Sequence, residues 1–282
     1  MAESKSVITL LTDFGTEDYF VGAMKGVILS RSPGTALIDL THSIPPHDIR
    51  AAAFTLNAAY SWFPVGSIHL VVVDPGVGSE RRPALVEAGM HLFVGPDNGI
   101  FTLILDRWPA AQMRHLTNSA YFLPDPSTTF HGRDIFAPVA AALAEGISPI
   151  EFGPAIEDPV RLESMRVERA PDGSHNGRII HVDHFGNCIT NLPAELLPPS
   201  TRNSDFVFQV KEFQIRALAQ SYSERMHEPD LPFLIRGSAG FLEISLPCSS
   251  AARALKVDVG DAVHLASQRA TKFSGTAGKF CC

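Results

Sequence analysis

The chain has 282 residues, 45% of them hydrophobic and 19% charged, enough to bury a substantial core and more than one average domain needs. Its formal charge of -7, with no run of Lys or Arg, excludes the electrostatic footprint of a nucleic-acid-binding surface and favours a small-molecule partner. The polar start Met1 to Ser6 and the short apolar stretch Val7 to Leu11 fall short of a signal h-region or a membrane span, so a cytoplasmic protein without a membrane partner is expected. Cys188 and Cys248 lack a CxxC partner, and Cys281 and Cys282 sit on a Gly/Ser-rich tail, so neither a disulfide framework nor a thiolate zinc site is indicated.

In chain order, Ser6-Thr12, Ala36-Leu40 and Ile68-Val73 read as buried strands. Val21, Met24, Val27 and Ile28 fall at helical spacing between the first two, and Asp48 to Trp62 carries a second helical pattern. Repeated strand, helix, strand is the signature of a parallel sheet covered by helices. Arg82-Glu87 and His91-Val94 read as a hairpin, Asn98-Arg107 as a helix, and Ile135-Glu145 as an Ala-rich helix stopped by Gly146. After Pro149 a Pro-, Asp- and Gly-containing passage runs to about Gly177. The runs Ile179-Val182, Phe206-Val210, Phe233-Ile235, Phe241-Leu246 and Ala262-Leu265 then suggest a small antiparallel sheet or barrel. The domain reading is therefore 1–156 as an N-terminal α/β domain, 157–177 as linker, 178–268 as a C-terminal β domain and 269–282 as tail.

Asp13 ends the first strand in Thr12-Asp13-Phe14-Gly15, at the sheet edge where open α/β sheets bind ligands, and a carboxylate there suits two ribose hydroxyls. A turn Asp beside Gly is the competing reading. Val73-Asp74-Pro75-Gly76-Val77-Gly78-Ser79-Glu80-Arg81 follows the third strand and belongs on the same edge. It lacks the third glycine and the helix of a dinucleotide loop, and a structural pairing of Asp74 with Arg81 is the competing reading. His131 precedes a helix, where a neutral, basic imidazole is favoured. An Asp, an Arg and a His gathered at one sheet edge are the groups that orienting and deprotonating a water demands. His181, Asp183 and His184 look like a metal cluster, but strand alternation sends His184 away from the other two, and no metal is expected. Ser238 directly follows Gly237 and has no following helix, so it is no nucleophile elbow.

Taken together, Thr12-Asp13-Phe14-Gly15 with Asp18, Thr41-His42-Ser43-Ile44-Pro45-Pro46-His47-Asp48-Ile49, Val73 to Gly78 with Arg81, Gly95-Pro96-Asp97-Asn98-Gly99, Thr129 to Asp134, Asp183 to Asn187 and Ser238 to Ile244 form an ordered set. From about residue 7 to 265 the chain resembles the S-adenosyl-L-methionine hydroxide adenosyltransferases, hydrolase relatives of the fluorinase and chlorinase. The resemblance implies an α/β class, with a mainly parallel N-terminal sheet and a C-terminal antiparallel β-barrel. It also implies a homotrimer whose sites lie between the N-domain of one subunit and the C-domain of the next.

By the same resemblance, Asp13 would grip the ribose hydroxyls, Asp18 and Asp183 the methionine ammonium, Ser238 its carboxylate, and Asn187 the adenine edge. Asp74, Arg81 and His131 match a water-activating triad. The chain departs from the family pattern at Arg236-Gly237-Ser238 and in the linker. Asp74 would repel a halide, and Gly132 stands where the fluorinase has a halide-binding Ser, so water is the expected nucleophile. S-adenosyl-L-methionine would be substrate, with no cofactor. The alternatives are a chlorinase-like halogenase, a non-catalytic nucleoside-binding protein and a metal-dependent hydrolase.

Overall fold

A computed structural model describes residues 6–267, and the expected tail, 269–282, lies outside them. The chain divides into two compact units, Met1–Met165 and Arg166–Cys282.

In the first unit the strands are β1 (Val7–Thr12), β2 (Ala36–Thr41), β3 (Ile68–Val72), β4 (Pro83–Ala88), β5 (His91–Pro96) and β6 (Gln112–His115). The helices are α1 (Phe20–Arg31), α2 (Ile49–Ala59), α3 (Thr102–Arg107) and α4 (Ala137–Ala144). The sheet order is β2-β1-β3-β5-β4-β6. β2, β1, β3 and β5 run parallel, while the β4–β5 hairpin and β6 are antiparallel additions.

Strand alternation divides the core into two layers. Ile8, Leu10, Ile68, Leu70 and Val72 pack on one face with Met24, Ile28, Phe136 and Val139. Leu11, Val71, Val73, Val86 and Phe93 pack on the other with Ala52, Leu56, Tyr60 and Ile104. Each fully buried Leu or Ile contributes about 1.5–3 kcal/mol, so the sheet is a stiff platform for the loops at its carboxyl edge. β3 is buried throughout because it lies mid-sheet.

Three sequence expectations need correction here. β2 is an edge strand, not a buried one, with Ile38 exposed and the Asp39 side chain 43% exposed. The helix expected from Asn98 starts at Thr102, because the Asn98 side chain accepts from Ile100 N and Gly99 adopts φ +97. The helix expected from Ile135 begins a turn earlier, as a wide π turn over Gly132–Phe136 that feeds α4. Gly146, at φ +84, closes that helix as expected.

The second unit holds β7 (Glu168–Arg169), β8 (His175–Val182), β9 (Cys188–Pro193), β10 (Phe206–Val210), β11 (Phe213–Ile215), β12 (Leu218–Ala219), β13 (Phe233–Arg236), β14 (Phe241–Ser245), the short helix α5 (Ala251–Leu255) and β15 (Ala262–Ser267). Their order is β11-β10-β15-β8-β9-β14-β13-β12, with β7 beside β8, and every pairing is antiparallel except β12 with β13. The first half of β8 pairs with β15 and the second half with β9 across a register shift, so the sheet curls about one core of Ile179, Leu192, Phe208, Ile244 and Leu265. Among the described residues no ladder joins β11 to β12. The expected barrel is therefore a curled, incompletely closed sheet.

Candidate active site

β3 delivers Asp74 to the carboxyl edge of the first unit's sheet, and the following loop turns back through Val77 N to Asp74 O at 3.2 Å and Ser79 N to Gly76 O at 3.1 Å. Gly78 adopts φ +76, and a Cβ there would overlap the carbonyl oxygen of Thr128, so glycine lets this loop lie against the one carrying His131. The turn brings Arg81 over Asp74 in a two-pronged pair, Nε to Oδ1 at 3.1 Å and Nη2 to Oδ2, with both side chains at least nine-tenths buried. Phe136 lies under the guanidinium, 5.4 Å from its ring centre. The local pairing that competed with a catalytic reading is thus present, and His131 joins it: Arg81 Nη2 lies 3.1 Å from His131 Nδ1.

A guanidinium only donates, so His131 Nδ1 accepts this bond, and the neutral imidazole carries its proton on Nε2. Burial and then the Arg81 charge hold the His131 pKa below its ordinary value, against the opposing pull of Asp74 and Asp134. Burial raises the Asp74 carboxyl although Arg81 and His131 pull it down. Arg81 Nη1 is buried and has no hydrogen-bond partner, which leaves an uncommitted donor on the guanidinium that bridges Asp74 and His131. The His131 loop is fixed by Asp134, which accepts from Ser127 N at 2.9 Å and Arg133 Nε at 2.6 Å. Gly132 is packed among Met24, Phe130 and Val72, so the side chain of a Ser would be crowded there.

Asp13 follows the neighbouring parallel strand β1 and has its side chain 8% exposed; Oδ2 accepts from His47 N at 2.9 Å. Asp18 is exposed in the loop leading to α1.

In the second unit, Asp183 and Asn187 pin the β8–β9 turn. Asp183 Oδ1 accepts from Phe185 N and Asn187 N, and Oδ2 accepts from Asn187 Nδ2 at 2.9 Å. Both line a cavity of about 610 Å³ together with Phe185, Tyr222, Cys248 and Arg253. Ser238 is exposed in the β13–β14 turn and is not among the residues lining this cavity. Beside the cavity, burial raises the Glu243 carboxyl, which accepts from the Tyr222 hydroxyl at 3.2 Å, and Tyr222 itself is pushed up to about 12. Among the described residues no group of three His, Cys, Asp or Glu side chains is arranged to hold a metal.

The sequence-expected residues therefore form one hydrogen-bonded cluster and one cavity-lining pair. Tyr222 and Arg253 escaped sequence reading, since no local pattern brings residues 222 and 253 to the β8–β9 turn.

Comparison with known proteins identifies the family. The model of the SAM hydroxide adenosyltransferase N-terminal domain matches residues 8–153, and that of the C-terminal domain matches residues 177–264. The (R)-S-adenosyl-L-methionine hydrolase of Thermus thermophilus is 37% identical over 92% of this chain and 98% of its own. That of Salinispora tropica is 44% identical over 70% of this chain and 76% of its own. A crystal structure of an uncharacterized conserved protein from Thermotoga maritima superposes with a TM-score of 0.82 at 34% identity, covering 92% of this chain and 99% of that one. A fluorinase of an Actinoplanes species is more distant, at 26% identity over 68% of this chain and 73% of its own.

Proposed function

This chain belongs to the S-adenosyl-L-methionine hydroxide adenosyltransferase family, and on that premise we propose that it hydrolyses S-adenosyl-L-methionine to adenosine and L-methionine by attack of an activated water on C5′. The observation that carries the reading is the Asp74–Arg81–His131 cluster with Arg81 Nη1 unpartnered. The sulfonium is already a good leaving group, so the chemical difficulty lies with the nucleophile. Free water has a pKa of about 15.7 and needs a base and a stabilising field. Arg81 Nη1 supplies one donor for a hydroxide-like oxygen, and His131 Nε2–H supplies a second. Because the His131 lone pair faces Arg81, the geometry favours Asp74, whose proton affinity burial raises, as the group that takes the proton. Attack of a developing anion on a cation cancels charge, which a water-poor pocket favours.

Asp13 binds the ribose, Asp18 and Asp183 the methionine ammonium, Ser238 its carboxylate and Asn187 the adenine. The assembly is a homotrimer with sites completed between subunits. No metal or organic cofactor takes part in this scheme. No helix among the described residues is long and apolar enough to cross a membrane, and the free Cys188 and Cys248 suit the reducing cytoplasm where we place the enzyme.

A halogenase reading is disfavoured by the buried Asp74 carboxylate and the crowded Gly132. Turnover in ¹⁸O-labelled water with excess chloride separates these readings. The expected products are adenosine labelled at O5′ and unlabelled methionine; a 5′-chloro nucleoside or labelled homoserine would overturn the proposal.

A further inference from the structure

The Thr41 to Ile49 segment contributes no group to the reaction above, yet its His42 is 5% exposed and sits in a line of polar contacts that ends at the Asp13 loop. The line starts at the surface. Lys25 Nζ on α1 donates to Asp39 Oδ2 on β2 at 2.6 Å, and Asp39 Oδ1 lies 3.0 Å from His42 Nε2. That second contact is off the straight N–H to O line, so its attraction is coulombic more than directional. Lys25 and His42 hold the Asp39 carboxyl below its usual range, outweighing its partial burial. A carboxylate beside Nε2 favours a proton on that nitrogen and leaves Nδ1 as acceptor. Thr12 Oγ1 lies 2.8 Å from Nδ1 and so donates to it, while the same oxygen accepts from Phe14 N at 3.2 Å. The backbone completes the tie through Gly15 N to His42 O at 2.8 Å and His47 N to Asp13 Oδ2 at 2.9 Å.

Thr, His and Asp in series are the parts of a nucleophilic triad, but they cannot act as one here. Thr12 is fully buried, and a lone pair of its oxygen is taken up by Phe14 N. What the series does control is orientation. Each group has its donor and acceptor sense fixed by the one before it, and the last link fixes the Thr12 rotamer and the Phe14 peptide on either side of Asp13.

We propose that Lys25, Asp39, His42 and Thr12 form a positioning chain that holds the Asp13 carboxylate in the orientation needed to bind the ribose hydroxyls of the substrate. The proposal rests on the reading of Asp13 as the ribose ligand.

The test is steady-state kinetics of the full chain with S-adenosyl-L-methionine, comparing Thr12→Val, Thr12→Ser, Asp39→Ala and, as a control, Asp13→Ala. Thr12→Val keeps the shape and loses the hydroxyl. It should raise KM about tenfold, with kcat within about threefold, since one oriented hydrogen bond is worth roughly that factor. Thr12→Ser should restore KM to within about twofold, and Asp39→Ala, at an exposed position, should raise it about threefold because the exposed end of the chain is screened. Wild-type KM in both Thr12→Val and Asp39→Ala, with Asp13→Ala impaired, would overturn the chain and leave the ribose reading intact. Wild-type KM in Asp13→Ala would overturn the ribose reading and the chain with it. A fall in melting temperature without a change in KM would show a structural role only and also overturn the proposal. If Thr12→Val does not fold, Asp39→Ala decides.

Discussion

At the scale of single residues, the first unit's cluster concentrates opposing demands on few atoms. Asp74 and Arg81 neutralise each other in a buried pair, so removing one partner leaves a charge that costs about 3–5 kcal/mol. Asp74→Asn keeps the shape and an acceptor oxygen but leaves the same Arg81 charge unpaired, so its melting temperature is read alongside its kinetics. It and His131→Ala should each lower kcat by roughly 10²-fold with little change in KM, since positioned acid-base groups contribute about that much. Loss of binding with turnover intact would remove either residue from water activation. The acid limb of the rate profile has a defined sign. The folded His131 value lies below the ordinary 6.5, so the imidazole stays neutral at neutral pH, and kcat/KM should begin to fall only below 6.5. Locally, the Asp74–Arg81 pairing was legible because a tight turn separates the two residues by seven positions. The Thr12–His42 contact was not legible, because nothing in the string shows which buried partner lies 30 positions away.

At the scale of elements, the sheet of the first unit carries a buried polar line at the amino ends of its strands, opposite the cluster. Thr9 Oγ1 lies 2.7 Å from His69 Nδ1, His69 Nε2 lies 3.2 Å from His91 Nδ1, and Phe93 stacks on His69 at 5.0 Å. Burial and then the neighbouring His91 push His69 down to about 3. An unfolded His takes its proton near 6.5, so between 6.5 and about 3 the unfolded chain binds more protons and stability falls with falling pH. Urea midpoints should thus drop steeply from pH 6.5 to 4 in the wild type. In His69→Phe they should fall less steeply from a lower starting point, because Thr9 and His91 lose a partner; parallel slopes would discard this account.

The same scale shows where sequence reading stopped. Alternation and helical spacing disclosed β1, β3, the β4–β5 hairpin and α1, because those elements bury apolar side chains with a clean period. β9 was overlooked because buried Thr190 and Asn191 interrupt its apolar run. Their side chains bond Leu242 O at 2.8 Å and Arg166 O at 3.0 Å, contacts that no periodicity encodes.

At the scale of the whole molecule, the groups assigned to one substrate are divided between two compact units, each with its own core. Under the proposed trimer, a subunit lacking Asp74 and a subunit lacking Asp183 each carry one intact half of the site. Mixing Asp74→Asn with Asp183→Ala in equal amounts after dissociation and reassembly should therefore recover about a quarter of wild-type activity, since each mixed trimer holds one intact site, while either variant alone stays far below that. Light scattering gives the subunit number in the same samples. No recovery in a confirmed trimer would place each site within a single subunit.

The second unit's cavity also has a chemical handle. Cys248 is exposed in its wall at φ +51, whereas Cys188 is fully buried and its thiol is pushed up to about 12. The two sulfurs should differ widely in reactivity, because only a reachable thiolate is alkylated quickly. In a variant with Cys281 and Cys282 replaced by Ser, a maleimide dye should mark Cys248 and spare Cys188. Adenosine added beforehand should slow that labelling in proportion to occupancy, turning one surface sulfur into a direct titration of ligand that needs no turnover at all.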